Sequence, residues 1–106
     1  MKNRVYNKLV RDRIPEIIEA DGKTCITEIL SDTQYLEMLD AKLNEELAEY
    51  QESKSLGELA DLLEVMQAVV EARGWSWEQL EQVRQEKSAQ QGRFEKKILL
   101  KEVTEK

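Results

Sequence analysis

Between Ser31 and Arg73 the apolar residues recur every three or four positions, the period of a helix with one buried side. Leu36, Leu39, Leu43, Leu47 and Tyr50 form one such stripe. They predict a helix capped by Ser31 or Asp32 and running to about Glu52. Ser53, Lys54 and Ser55 make a short polar link, and Ser55 with Glu58 three residues on has the form of a capping box for a second helix. That helix is expected over Leu56–Arg73 and is closed by Gly74. Ser76 caps a third, from Trp77 to about Gln90, with Leu80, Val83 and Lys87 on its inner side, and Gly92 breaks it. Upstream, Pro15 suits the first turn of a short helix, Pro15–Ala20, ended by Gly22. Val5–Ile14 mixes apolar residues with Lys8, Arg11 and Arg13 and has no clean period. Lys23–Leu30 holds Thr24, Cys25, Ile26, Thr27 and Ile29, a β-favouring run expected to be extended. The lysine- and glutamate-rich tail around Ile98, Leu99, Leu100 and Val103 is expected to be partly ordered at best. The pattern predicts an all-α fold, an antiparallel bundle of three to four helices with an irregular or extended N-terminal segment. One domain is expected over 1–106: an arm (1–30), a helical core (31–92) and a C-terminal segment (93–106).

At about 100° per residue, the second helix sorts its side chains into three sectors. Glu64, Gln67 and Glu71 make the wet stripe, and Leu59, Leu63, Met66 and Val70 make the main apolar side, expected as core. Glu58 and Asp61 fall away from the wet stripe, beside Val65, Ala68 and Ala72, in a sector suited to packing against another helix. Unpaired ionised carboxylates there cost several kcal/mol each. In the preceding helix, Glu46 and Glu49 project roughly 60° apart by the same arithmetic, with Glu46 bordering the Leu43/Tyr50 stripe. A short link makes the two helices an antiparallel hairpin, so the end of one faces the start of the other and the four carboxylates converge.

Like charges that close repel unless a proton or cation intervenes. Lys42 and Lys54 are the lysines these helix faces supply. An all-oxygen set selects Mg²⁺, Ca²⁺ or Mn²⁺ over zinc or copper. Glu58 has a competing use as a capping residue, where the helix dipole favours it, and neighbouring glutamates on helices are most often solvated surface.

Composition narrows the chemistry further. The chain has 106 residues, enough for one modest core, so an oligomer is expected. Its formal net charge is −6, which argues against gripping a nucleic-acid polymer along its backbone. Histidine is absent, removing His–Zn sites and Ser–His or Cys–His nucleophile pairs. Cys25 is the lone cysteine and forms no internal disulfide, which points to a reducing cytoplasm. No stretch approaches the ~18 apolar residues a membrane span needs.

Lys42-Leu-Asn-Glu-Glu-Leu-Ala-Glu49 followed by Glu58-Leu-Ala-Asp-Leu-Leu-Glu64 resembles the signature of the all-α NTP pyrophosphohydrolase superfamily. That group includes MazG-like proteins, dimeric dUTPases and phosphoribosyl-ATP pyrophosphohydrolases. Tyr6-Asn-Lys-Leu-Val-Arg-Asp-Arg-Ile-Pro-Glu-Ile-Ile18 resembles the opening of a small bacterial or phage MazG-like branch. Lys87–Lys97 resembles that branch's lysine and Gly-Gly-Phe region, with Arg93 in place of the usual second glycine. The resemblance implies a dimeric or tetrameric helical bundle hydrolysing NTP to NMP and pyrophosphate, in a house-cleaning role. It implies Mg²⁺, with Mn²⁺ as the alternative ion, held by Glu46, Glu49, Glu58 and Asp61, and Glu45 orienting or deprotonating the attacking water. The triphosphate then needs positive charge, for which Lys87, Lys8, Arg11, Arg13 and Arg93 are the candidates, Lys87 first because it falls near the inner side of the third helix. Each of these also has an ordinary use as a solvated or structural charge, and Arg11-Asp12-Arg13 has the makings of a salt-bridged clasp.

Other readings stay open. Phosphoribosyl-ATP is an alternative substrate. A non-catalytic helical dimerisation or adaptor domain would use the same carboxylates as surface charge or against a basic partner. A di-iron carboxylate protein is remote without histidine. Trp75 and Trp77 either pack an inter-helix corner or stack on a base.

Overall fold

The computed structural model describes residues 4–105; residues 1–3 and 106, the two ends of the expected domain, lie outside it. Its helices are α1 (Ile14–Ala20), α2 (Asp32–Ser53), α3 (Leu56–Ala72) and α4 (Trp77–Gln91), and no strand occurs among the described residues. The all-α expectation holds, with helix bounds within a residue or two of those read from serine, proline and glycine.

Local chemistry explains those bounds. The Ser31 hydroxyl accepts the Gln34 N–H (3.2 Å) while the Gln34 side chain accepts the Ser31 N–H (3.3 Å), a reciprocal box that opens α2. Ser76 and Gln79 repeat it at α4, at 3.2 and 2.8 Å. At the end of α3, Gly74 takes φ +87°, so that its N–H reaches the Glu71 carbonyl (3.0 Å) and the Trp75 N–H reaches Val70 (2.9 Å). This Schellman turn caps the last carbonyls with a conformation glycine adopts freely.

Helices α2 and α3 form an antiparallel hairpin. Lys54 turns the chain between them in the left-handed region (φ +56°), its N–H bonded to the Tyr50 carbonyl at 2.8 Å. At the opposite end of the hairpin, Arg73 pairs with Asp40 across the two helices at 3.0 Å. The face α3 turns to α2 carries Glu58, Asp61, Leu62, Val65 and Val69, all at least partly covered. Leu39 and Val70 are the buried hydrophobic residues, and Glu46 is buried with them.

This orientation corrects part of the expected core. Leu59, Leu63 and Met66 are 41%, 49% and 38% exposed, and Leu47 of α2 is 44% exposed. The sector carrying Glu58 and Asp61 faces α2, which rotates the leucine stripe outward, where one chain has nothing to cover it. Nor does one chain complete a bundle: α4 touches α3 alone, and α1 packs on no helix among the described residues. On α4, Leu80 is half-buried, but Val83 and Lys87 are exposed, so the inner side expected there is not formed. Lys23–Leu30 is irregular, its β-favouring residues having no strand to pair with, and Ile26 and Ile29 stand in solvent. Cys25 is half-buried, its thiol directed to the Pro15 carbonyl at 3.6 Å. Phe94 and Ile98–Leu100 are exposed as well. The chain is correspondingly open: its radius of gyration is 19.1 Å, against about 13 Å for a compact domain of this length. Among the described residues, no helix is long and apolar enough to cross a membrane.

Candidate metal centre

The site lies at the turn end of the hairpin. Glu45, Glu46 and Glu49 come from the last turns of α2, Glu58 and Asp61 from the first turns of α3. One carboxylate oxygen from each of Glu45, Glu46 and Glu49 lies within 4.8 Å of the others, and the same is true of Glu46, Glu58 and Asp61. Glu46 belongs to both groups. Opposite ligands of one hard cation stand about 4–5 Å apart when each bond is about 2.1–2.5 Å, so these separations suit a single ion's shell.

The link between the helices leaves Glu58 available. The Ser55 hydroxyl accepts the Glu58 N–H (3.3 Å), but the Ser55 N–H goes to the Ser53 hydroxyl (3.3 Å). The capping box expected from Ser55 and Glu58 is therefore only half made: the serine caps α3 while the glutamate side chain turns toward α2. Its Oε2 is buried and has no hydrogen-bond partner among the described residues, and the same holds for Glu46 Oε2. Glu46 is only 8% exposed. Burial first, then the adjoining Glu49 carboxyl, raises both the Glu46 and Glu58 pKa values, and Asp61 pushes them the same way. Lys42, 3.7 Å from Glu46 Oε1, opposes the shift at Glu46.

The surrounding basic residues divide into two groups. Lys8 reaches Glu45 Oε1 at 3.0 Å, and Arg11 reaches Asp61 Oδ1 at 2.7 Å, so the N-terminal arm lies across the carboxylates. Lys42 takes the other Glu45 oxygen at 3.2 Å. Hydrogen bonding from Lys8, reinforced by Lys42, lowers the Glu45 pKa, and Glu45 in turn raises that of Lys8. A carboxylate held by two ammonium groups is a poor base, which runs against the water-activating role expected for Glu45 for as long as Lys8 stays in place. Arg13, Lys87 and Arg93 are not brought to the carboxylates within one chain. Arg13 pairs with Glu16 of α1 and Arg93 with Glu95, both at 3.3 Å. Lys87 lines a shallow open groove with Arg84, Arg93 and Phe94 at the end of α4. Trp77 is half-buried beside the α3–α4 corner and Trp75 is exposed.

Sequence spacing brought out the four carboxylates and missed the role of the arm. Thirty-seven residues separate Lys8 from Glu45 and fifty separate Arg11 from Asp61, so no local pattern joins them.

No protein-family model matches the chain, and no solved structure matches it. An uncharacterised protein of Mycolicibacterium smegmatis is 60% identical over 42 residues, which is 40% of this chain and 43% of that protein. The match thus spans less than half of either molecule.

Proposed function

We propose that the protein is a Mg²⁺-dependent nucleoside triphosphate pyrophosphohydrolase that converts NTP and water to NMP and pyrophosphate, acting on surplus or non-standard (d)NTPs in the cytoplasm. One observation carries the metal site. Glu46 is more than nine-tenths buried with an unpartnered oxygen, among the carboxylates of Glu49, Glu58 and Asp61. Leaving such a group uncompensated is costly, and a divalent cation removes the cost. The reaction class rests on the resemblance of the double acidic motif to the all-α pyrophosphohydrolases.

Glu46, Glu49, Glu58 and Asp61 would hold the ion, with Mn²⁺ able to replace Mg²⁺. The ion would neutralise phosphate oxygens and acidify a bound water. Glu45 stands beside that set, suited to orienting the water once Lys8 has moved. Lys8 and Arg11 are the basic residues beside the carboxylates and the first choice for contacting the triphosphate. Arg13, Lys87 and Arg93 have a part in the site only if a second chain supplies them.

A homodimer or homotetramer accords with the uncovered Leu59, Leu63 and Met66. The accessible surface is 10184 Å², where a folded monomer of this size exposes about 6100 Å². A second reading has one observation in its favour. The chain's own cations already pair with Glu45, Glu46 and Asp61, as a non-catalytic adaptor with an internally neutralised surface would require.

A panel of nucleoside triphosphates and phosphoribosyl-ATP, assayed with MgCl₂ for monophosphate plus pyrophosphate, separates the readings. Pyrophosphate from one or more members supports the enzyme, and the preferred member names its substrate. No product from any member favours the adaptor.

A further inference from the structure

The N-terminal arm meets the carboxylates through charge. Residues 4–11 hold no helix or strand, and the ion pairs from this stretch to α2 and α3 among the described residues are Lys8–Glu45 and Arg11–Asp61. Both basic side chains keep about half their surface in solvent (51% and 57%), and pairs this exposed hold weakly. They reach the rim of the cluster. The inner oxygens, Glu46 Oε2 and Glu58 Oε2, remain buried and unpartnered. The arm therefore neutralises the cluster incompletely, and the part it leaves unsatisfied is the part a small ion is best able to reach.

A divalent ion bound to those oxygens would also draw on Glu45 or Asp61, each of which has an oxygen in a group with Glu46. Its double charge would then repel the ammonium and guanidinium already there. On the metal-site reading given above, we infer that residues 4–13 are a counter-ion clasp: Lys8 and Arg11 occupy Glu45 and Asp61 while no divalent cation is bound, and the cation expels them. Expulsion frees two positive groups for a polyanion such as a triphosphate, and it frees Glu45 from Lys8. The arm and the ion compete for the same carboxylates. By linkage, a polyanion that holds the arm away tightens the cation site by the factor by which the cation tightens polyanion binding.

The test uses the full chain and MgCl₂ alone. Calorimetric titration of wild type is compared with the double variant Lys8→Gln, Arg11→Gln, which lacks the competing charges. The variant should bind Mg²⁺ about fivefold more tightly, the combined worth of two exposed pairs. In parallel, trypsin cleavage after Lys8 and Arg11 of wild type is followed by mass spectrometry, with KCl matching the ionic strength. MgCl₂ should accelerate both cuts several-fold, because the arm is released. Equal Mg²⁺ affinity in the two proteins overturns the clasp. So does tighter binding with unchanged cleavage, since then the removed charges acted only through their field while the arm stayed in place. Mg²⁺ binding to neither protein overturns the metal site and the clasp together, whereas binding to wild type with a static arm overturns the clasp alone.

Discussion

Replacing Glu46 with glutamine removes one charge and almost no volume from the most buried point of the site. At a separation of 4.8 Å or less, Glu49 repels Glu46 by about 0.9 kcal/mol even with the full dielectric of water. Lys42, 3.7 Å away, returns about 1.1 kcal/mol on the same basis. These nearly cancel. What remains is the desolvation of a carboxylate that is 8% exposed, with further repulsion from Glu58 and Asp61. Desolvation runs to several kcal/mol for a fully buried ion, and glutamine avoids it while costing Lys42 one partner, so Glu46→Gln should stabilise the metal-free protein by about 1 kcal/mol. That is a rise in Tm of about 4–8 °C for a chain of this size. On the proposed metal site, saturating Mg²⁺ should reverse the order. At a hundred times the Kd, wild type should gain about 2.7 kcal/mol, and the variant, short of a proposed ligand, should gain little. Thermal melts at one protein concentration and matched ionic strength, in EDTA and in MgCl₂, measure both halves. A variant that melts below wild type in EDTA, or that rises with Mg²⁺ as far as wild type does, refutes the reasoning.

Further predictions follow from the same geometry. Glu49→Gln and Asp61→Asn should each abolish pyrophosphate release with the metal-free fold intact, as judged by circular dichroism; unchanged turnover in either removes that residue from the ligand set. The Glu46 and Glu58 carboxyls are held above their ordinary value of 4.5, by burial first and Glu49 second. A raised carboxyl keeps its proton in the folded chain after the unfolded chain has lost it. Its stabilising effect is thus full below 4.5 and is lost as pH rises through the raised values. In EDTA, Tm should fall as the pH is raised above 4.5, and fall less in Glu46→Gln. Glu45, shifted downward, contributes in the opposite sense and only in stronger acid. Leu63→Glu puts a charge in the middle of the uncovered α3 stripe and should convert the proposed oligomer to monomer in sedimentation velocity; an unchanged sedimentation coefficient shows that this face is not an interface. Gly74→Ala meets no atom within 4 Å but must adopt φ +87°, so it should cost about 1–2 kcal/mol in urea unfolding from backbone strain alone.

The helix boundaries were legible because they are set by short-range chemistry. Ser31, Ser76 and Gly74 cap with neighbours three to five residues away, and such signals survive in any tertiary setting. The inward sector of Glu58 and Asp61 was legible from helical period. That the leucine face would stay uncovered was not, because the period shows two packable sectors on α3 and says nothing of how many partners one chain supplies. Leu59, Leu63 and Met66 belong to the sector turned away from α2, and so stand in solvent in one chain. The capping role of Ser55 was readable while the fate of the Glu58 carboxylate was not, since the nearby Ser53 hydroxyl competes for the Ser55 N–H. Lys8 and Arg11 are legible in the sequence as charges in need of an anion. Their carboxylate partners lie far away in sequence and depend on how an irregular arm crosses the hairpin, which no periodicity encodes. The inner side expected for Lys87 needs a neighbouring helix, and among the described residues α4 touches α3 alone.

Electron paramagnetic resonance of Mn²⁺ added to the 106-residue chain tests most directly whether a divalent ion belongs among these side chains. The free-ion six-line signal should be quenched in proportion to wild-type protein, recover when Mg²⁺ is added in excess, and persist with Glu49→Gln or Asp61→Asn. A free-ion signal undiminished by wild-type protein, or quenched equally by both variants, contradicts a metal centre built on Glu46, Glu49, Glu58 and Asp61.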